Sequence, residues 1–256
     1  MLGAIIGDIV GSRFEFRNHL STDFELFTED CDFTDDTICT VAVAHALLEN
    51  IPFATSLQNW CRKYHNPKGA YGGSFSAWIH SNEPKPYNSF GNGSAMRVSP
   101  CAWIANDRDT VLKNARMSAE CTHNHPEGIK GATAIADCIY QARFNSNKNE
   151  IKQVATKTYG YSIDATCDQI RHTNHFNETC QVTVPQAITC FLESSDFENA
   201  IRLAVSIGGD TDTIAAITGS IAEAFYGIPY NIQAAALKYL PDDILNILSN
   251  FNNKIK

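Results

Sequence analysis

Mostly apolar side chains recur at i, i+3, i+4 and i+7 along most of the chain, as in Ile38, Val41, Ala42, His45 and Leu48 and again in Ile214, Ile217, Ile221 and Phe225. On a helix of 3.6 residues per turn this spacing draws one apolar stripe. It predicts helices over both runs and over 2–11, 54–64, 109–120, 127–143, 149–158, 183–193, 196–206 and 232–248. Gly227 followed by Pro229 marks a helix end, and Ser195-Asp196 offers an N-cap. Alternating β-branched or aromatic runs between hairpin turns are scarce. The expected fold is all-α, a compact helical bundle.

No repeat or low-complexity linker divides the chain, so residues 1–256 are expected to form one domain. The segment 66–100 is rich in Gly, Ser, Asn and Pro but carries Trp78 and Phe90, and reads as an ordered irregular region within that domain. The polar stretch 144–150 and the segment 159–182 are weaker candidates for a boundary. Gly3, Gly7 and Gly11 recur every fourth residue, which removes three side chains from one helix face and suits the close approach of another backbone.

Composition narrows the functional classes. With 44% apolar and 19% charged residues in 256, the chain has ample material for a core. Its net charge of −8 and lack of a Lys/Arg cluster argue against nucleic-acid binding. The N-terminal apolar run from Met1 to Ile6 is too short to cross a bilayer and ends at Asp8, so neither a signal peptide nor a membrane span is expected. Nine cysteines without a CxxC pair disfavour a disulfide framework and a zinc ribbon, and fit reduced, mostly buried thiols in a cytoplasmic protein, expected to be a monomer.

The candidate chemistry lies at two predicted helix starts. Thr34-Asp35-Asp36 precedes one apolar run, and Asp210-Thr211-Asp212-Thr213, after Gly208-Gly209, precedes another. Either cluster alone reads as an N-cap. Together they supply four carboxylates and hydroxyls, a hard oxygen-ligand set suited to Mg²⁺ or Mn²⁺, and without an ion such carboxylates would repel one another and raise their own pKa values. The Asp-x-Asp-Thr pattern lies too late, in a helical context, for a haloacid-dehalogenase-type phosphotransferase. Asp35-Asp36 lacks the third Asp of a prenyl-diphosphate motif. Cys121, His123 and His125 lack tetrahedral zinc spacing and a fourth ligand.

Six blocks together resemble the ADP-ribosylglycohydrolase family: Gly3–Glu15, Phe33–Thr37, Gly69–Ser74, Gly91–Pro100, Thr122–Pro126 and Ser206–Thr213. The resemblance implies that family's helical fold and a two-metal centre, of Mg²⁺ or Mn²⁺, ligated by Thr34, Asp35, Asp36, Asp210, Asp212 and Thr213. It places Glu15 near the metals and the scissile ribose, as ligand, gate or acid/base, against the alternative of a surface glutamate. Catalysis is assigned to Glu15, Asp35, Asp36 and Asp212. Substrate contacts are assigned to Tyr71, Gly72, Gly73 and Ser74, to Gly91, Asn92, Gly93 and Ser94, to His123, and to Gly208 and Gly209. An ordinary glycine turn and a structural histidine are the competing readings.

The implied activity is metal-dependent hydrolysis of the glycosidic bond between ADP-ribose and an acceptor, a modified protein side chain such as arginine or a small conjugate. A non-catalytic ADP-ribose-binding or structural member of the fold, and a metal-dependent phosphoester hydrolase, are the alternatives. Residues 13–30 read either as a lid over the leaving-group pocket or as a solvated loop.

Overall fold

The computed structural model describes residues 1–144 and 146–255. In chain order its helices are α1 (Leu2–Gly11), α2 (Asp35–Glu49), α3 (Phe53–Lys63), α4 (Gly73–His80), α5 (Gly93–Met96), α6 (Ser99–Trp103), α7 (Arg108–Glu120) and α8 (Pro126–Arg143). They continue with α9 (Lys148–Gln153), α10 (Cys167–Thr173), α11 (Cys180–Glu193), α12 (Phe197–Ser206), α13 (Thr211–Tyr226), α14 (Tyr230–Ala236) and α15 (Asp242–Lys254). Among the described residues there is no β-sheet, only isolated bridges at Thr34–Lys68 and Gly91–Thr179. The all-α expectation is met.

The predicted long helices form where the apolar stripe places them. Asp196 caps α12 by accepting from the backbone of Asn199 at 2.8 Å, and Gly227, at φ 72°, ends α13. Two expectations need correction. The run 232–248 is two helices, because Pro241 lacks the N–H that would continue α14 and instead opens α15. The irregular segment 66–100 contains α4, α5 and the start of α6, turns too short to show periodicity. Neither boundary candidate is a free linker. Within 144–150, of which residue 145 lies outside the described residues, Asn147 and Glu150 form a capping box at α9, and within 159–182 Thr166 and Gln169 form another at α10.

The glycine face of α1 settles how the helices meet. A Cβ on Gly3 would lie 2.2 Å from the carbonyl of Gly219, on Gly7 2.0 Å from that of Ala215, and on Gly11 2.6 Å from that of Thr211. All three distances are far inside van der Waals contact, so α1 and α13 approach backbone to backbone only because these side chains are missing. Glu223 of α13 locks the pair by accepting from the backbone N–H of Gly3 at 2.8 Å and from the amino group of Met1 at 2.5 Å. The N-terminus of α13 thereby sits against the C-terminal end of α1. α2 packs on α1 and also on α13, α3, α6 and α15.

One cluster of buried apolar side chains runs from Met1 to Phe251. All nine cysteines are free thiols, eight of them buried. No helix among the described residues is long and apolar enough to cross a membrane.

Candidate active site

Asp8 interrupts the apolar face of α1 and is fully buried, a position a carboxylate holds only when its oxygens are paired. It accepts from the backbone N–H groups of Thr34 and Thr37 at 2.9 and 3.0 Å, and from their hydroxyls at 2.8 and 2.5 Å. These four bonds anchor the first turn of α2 to α1. Thr34 also accepts from the N–H of Asp36 at 3.2 Å, so it is the N-cap of α2. Asp35 and Asp36 project beyond it into a cavity of about 760 Å³, whereas Thr34 stands behind them.

The second acidic turn is delivered by Gly208 and Gly209, at φ 70° and 82°, values that only glycine adopts without strain. The Asn18 side chain pairs with both the N–H and the C=O of Gly209, and Asn174 donates to the carbonyl of Gly208. Expected as substrate contacts, the two glycines do not line the cavity. They shape the turn that brings Asp210, Asp212 and Thr213 to its floor. There the Thr213 hydroxyl donates to Asp36 at 3.2 Å, joining the starts of α2 and α13.

Carboxylate oxygens of Glu15, Asp210 and Asp212 lie within 4.8 Å of one another. Burial, and then the neighbouring carboxylates, push Asp35, Asp36 and Asp212 well above the usual carboxylate range. Burial is likewise the main cause that raises Asp210 to about 7, partly offset by hydrogen bonds from its neighbours. Glu15 is raised to about 8 by burial and then by Asp212, with Lys68 opposing. No Lys or Arg appears among the described lining residues. Oδ1 of Asp36 is buried without any hydrogen-bond partner. Clustered carboxylates, an unpaired buried oxygen and no basic side chain form a donor set that fits a hard divalent cation.

On the wall beside the acidic residues, Asn92 donates from its amide nitrogen to Asp210 at 2.6 Å and to Thr183 at 3.0 Å, so it braces the acidic floor as well as lining the cavity. Gly91, Gly93 and His123 line the same wall. Ser94 does not, because its buried hydroxyl donates to the carbonyl of Gly128. Tyr71, Gly72, Gly73 and Ser74 also line the cavity. The Tyr71 hydroxyl is bound to the carbonyl of Tyr64 at 2.7 Å, which leaves its ring to the wall. Nothing lies within 4 Å of where a Cβ on Gly72 or Gly73 would be, and the N-terminus of α4 there has no side-chain cap.

Residues 13–30 are neither free nor solvated throughout. Arg13 binds Thr28, Arg202 of α12 binds the carbonyls of Thr22 and Phe24, and Asn18 holds Gly209. Phe16, 71% exposed, projects from this pinned loop and stacks on Phe176 at 6.0 Å between ring centres. Both rings and Glu178 line the cavity. Sequence reasoning missed Phe176, Glu178 and the buried anchor Asp8. For Asp8 a signal existed, a lone acid on an otherwise apolar helix; for Phe176 and Glu178 none did.

Residues 1–255 match the family model described as ADP-ribosylglycohydrolase. The ADP-ribosylhydrolase ARH3 of Homo sapiens is 26% identical, with 96% of this chain and 90% of that protein covered. The ADP-ribosylarginine hydrolase Tri1 of Pseudomonas putida (strain GB-1) is 24% identical, covering 89% of this chain and 70% of that protein. A solved structure described as an ADP-ribosylglycohydrolase-related protein complex shares the fold, with a TM-score of 0.75 at 21% identity over 100% of this chain and 96% of that one.

Proposed function

Because the chain belongs to the ADP-ribosylglycohydrolase family, we propose that it is a divalent-metal-dependent hydrolase that cleaves the bond between the anomeric carbon of ADP-ribose and an acceptor, on a protein side chain or a small conjugate. The observation that carries this reading is the meeting of Asp35, Asp36, Asp210, Asp212 and Glu15 on one cavity floor, with Oδ1 of Asp36 unpaired. In this reading residues 1–256 act as one domain, in keeping with the single core cluster.

Thr34, Asp35, Asp36, Asp210, Asp212 and Thr213 would hold two ions, Mg²⁺ or Mn²⁺, with Glu15 at their edge. When bound, the ions would offset the acidic floor, orient ribose hydroxyls and lower the pKa of water at the site. Glu15, half-buried and already prone to hold a proton, is placed to exchange one with the attacking water or the leaving group. With no basic side chain on the walls, the diphosphate finds its donors in the uncapped N–H groups at the start of α4, where Gly72 and Gly73 leave the backbone open. The Gly91–Gly93 turn and His123 face the ribose. Phe16, Phe176 and Glu178 stand at the outer part of the cavity, where the acceptor leaves.

Release of ADP-ribose from arginine-, serine- and acetyl-linked substrates, with Mg²⁺, with Mn²⁺ and with chelator, tests the reading. The expected result is release from at least one linkage, abolished by chelation and by Asp36→Ala and Asp212→Ala. Release that survives both chelator and the two substitutions would overturn it.

A further inference from the structure

Arg97 is a guanidinium 1% exposed to solvent, with no carboxylate partner among the described residues. Its Nη2 has two hydrogens, one directed at the carbonyl of Ser118 at 2.9 Å and one at the hydroxyl oxygen of Thr122 at 2.7 Å. That same hydroxyl lies 2.6 Å from Nδ1 of His123. The donor inventory orders these protons. Arginine only donates, so the Thr122 oxygen is an acceptor toward Arg97. Thr122 is fully buried, and of the acceptors near its own hydrogen, Nδ1 at 2.6 Å is a far stronger one than the neighbouring Cys121 sulfur. Nδ1 of His123 is therefore bare.

We infer that Arg97 and Thr122 are positioning residues that hold His123 as the neutral Nε2–H tautomer, so that its ring presents a fixed hydrogen-bond donor to an oxygen of the ligand lying over the Gly91–Gly93 turn. His123 lines the cavity, and among the described residues no group accepts from Nε2. A Cβ on Gly93 would come within 3.2 Å of Nε2 and one on Gly91 within 3.5 Å, so the two glycines keep the approach to that nitrogen open. A histidine serving packing alone would have this nitrogen paired inside the protein. The titratable groups facing the ring are Arg97, behind it, and Tyr87, whose ring centre is 6.1 Å away. Burial and the Arg97 charge both hold the imidazole well below its ordinary pKa, which agrees with a ring that stays neutral. In this role His123 donates a hydrogen bond and takes no part in proton transfer.

The inference rests on the reading of the cavity as a ligand site, but its first readout uses no ligand. Long-range ¹H–¹⁵N correlation of imidazole-labelled protein reports the tautomer, with His123 identified as the resonance lost in His123→Gln. The expected result is a single Nε2–H species, unchanged between about pH 5 and 8. An Nδ1–H species, or a His123 resonance that titrates in that range, would overturn the inference. In Thr122→Val the tautomer preference is expected to relax and binding of ADP-ribose to weaken roughly threefold to tenfold, while Thr122→Ser restores both. If Thr122→Val keeps a pure Nε2–H tautomer, the lock is refuted. Absence of ADP-ribose binding to the unaltered protein would instead refute the ligand assignment, a failure visible separately from the tautomer.

Discussion

The amide nitrogen of Asn92 lies 2.6 Å from Oδ2 of Asp210, and the backbone nitrogen of Asn92 lies 2.7 Å from the carbonyl oxygen of Glu178. A residue at the start of a four-residue helix thus orients a carboxylate at the start of another, and ties both to the chain that carries Phe176.

Removing this brace should loosen the cation site without emptying it. Asn92→Ala is expected to weaken Mn²⁺ binding about tenfold to a hundredfold, the usual effect of losing a group that orients a ligand, with activity recovering at high Mn²⁺. Titration followed by calorimetry checks it, and unchanged affinity would remove Asn92 from this role.

The ion-free protein should lose stability as pH rises. Burial raises Asp8 to about 6, Asp210 to about 7 and Glu15 to about 8, from ordinary values of 3.8, 3.8 and 4.5, so the folded chain holds protons that the unfolded chain releases. Their contribution is fully present below about pH 4 and is lost as pH climbs through about 6 to 8. With chelator, the melting temperature should fall between about pH 5.5 and 8, and Mg²⁺ should raise it more at the higher pH. An equal effect of Mg²⁺ at both would contradict this.

Gly7→Ala and Gly72→Ala should separate sharply. The first drives a methyl group to 2.0 Å from the backbone of α13 and should cost about 3 kcal/mol or prevent folding. The second meets nothing within 4 Å, at φ −54°, and should leave stability within about 0.5 kcal/mol. Denaturant titration of the two variants is the measurement, and the ordering is the claim.

Asp8→Asn replaces an oxygen that accepts from Thr34 and Thr37 with a nitrogen that donates, setting donors against donors in a buried place. A loss of about 1–3 kcal/mol is expected, together with a fall in activity that added metal does not restore. Full activity at unchanged stability would show that the α1–α2 anchor is dispensable.

Helical spacing, the cap at Asp196, the stop at Gly227 and the glycine face of α1 are local properties, and each was legible because it recurs within one or two turns of chain. The acidic clusters were legible as well, since Asp35-Asp36 and Asp210–Thr213 are contiguous. The short helices α4, α5, α6 and α10 were not, because one or two turns carry too few apolar positions to draw a stripe and form only against the rest of the fold. Phe176 and Glu178 sit in a polar stretch with no pattern, and matter only because the stacking of Phe176 on Phe16 brings their loop to the cavity.

By itself, then, the sequence determined which long stretches are helical, where the acidic oxygen donors cluster, and that one face of α1 suits the close approach of another backbone. Only tertiary structure decided which backbone that is, and with it the site. The missing Cβ atoms let α1 settle on α13, Asp8 then holds α2 to α1, and the two helix starts are left facing one another across the floor of one cavity. It also set Gly208, Gly209 and Ser94 off the cavity lining, where they shape the turns behind it. The reason is physical: hydrogen bonds such as those of Asn18 to Gly209 and Asn92 to Asp210 join atoms that are neighbours in space and distant in chain, so no local pattern records them.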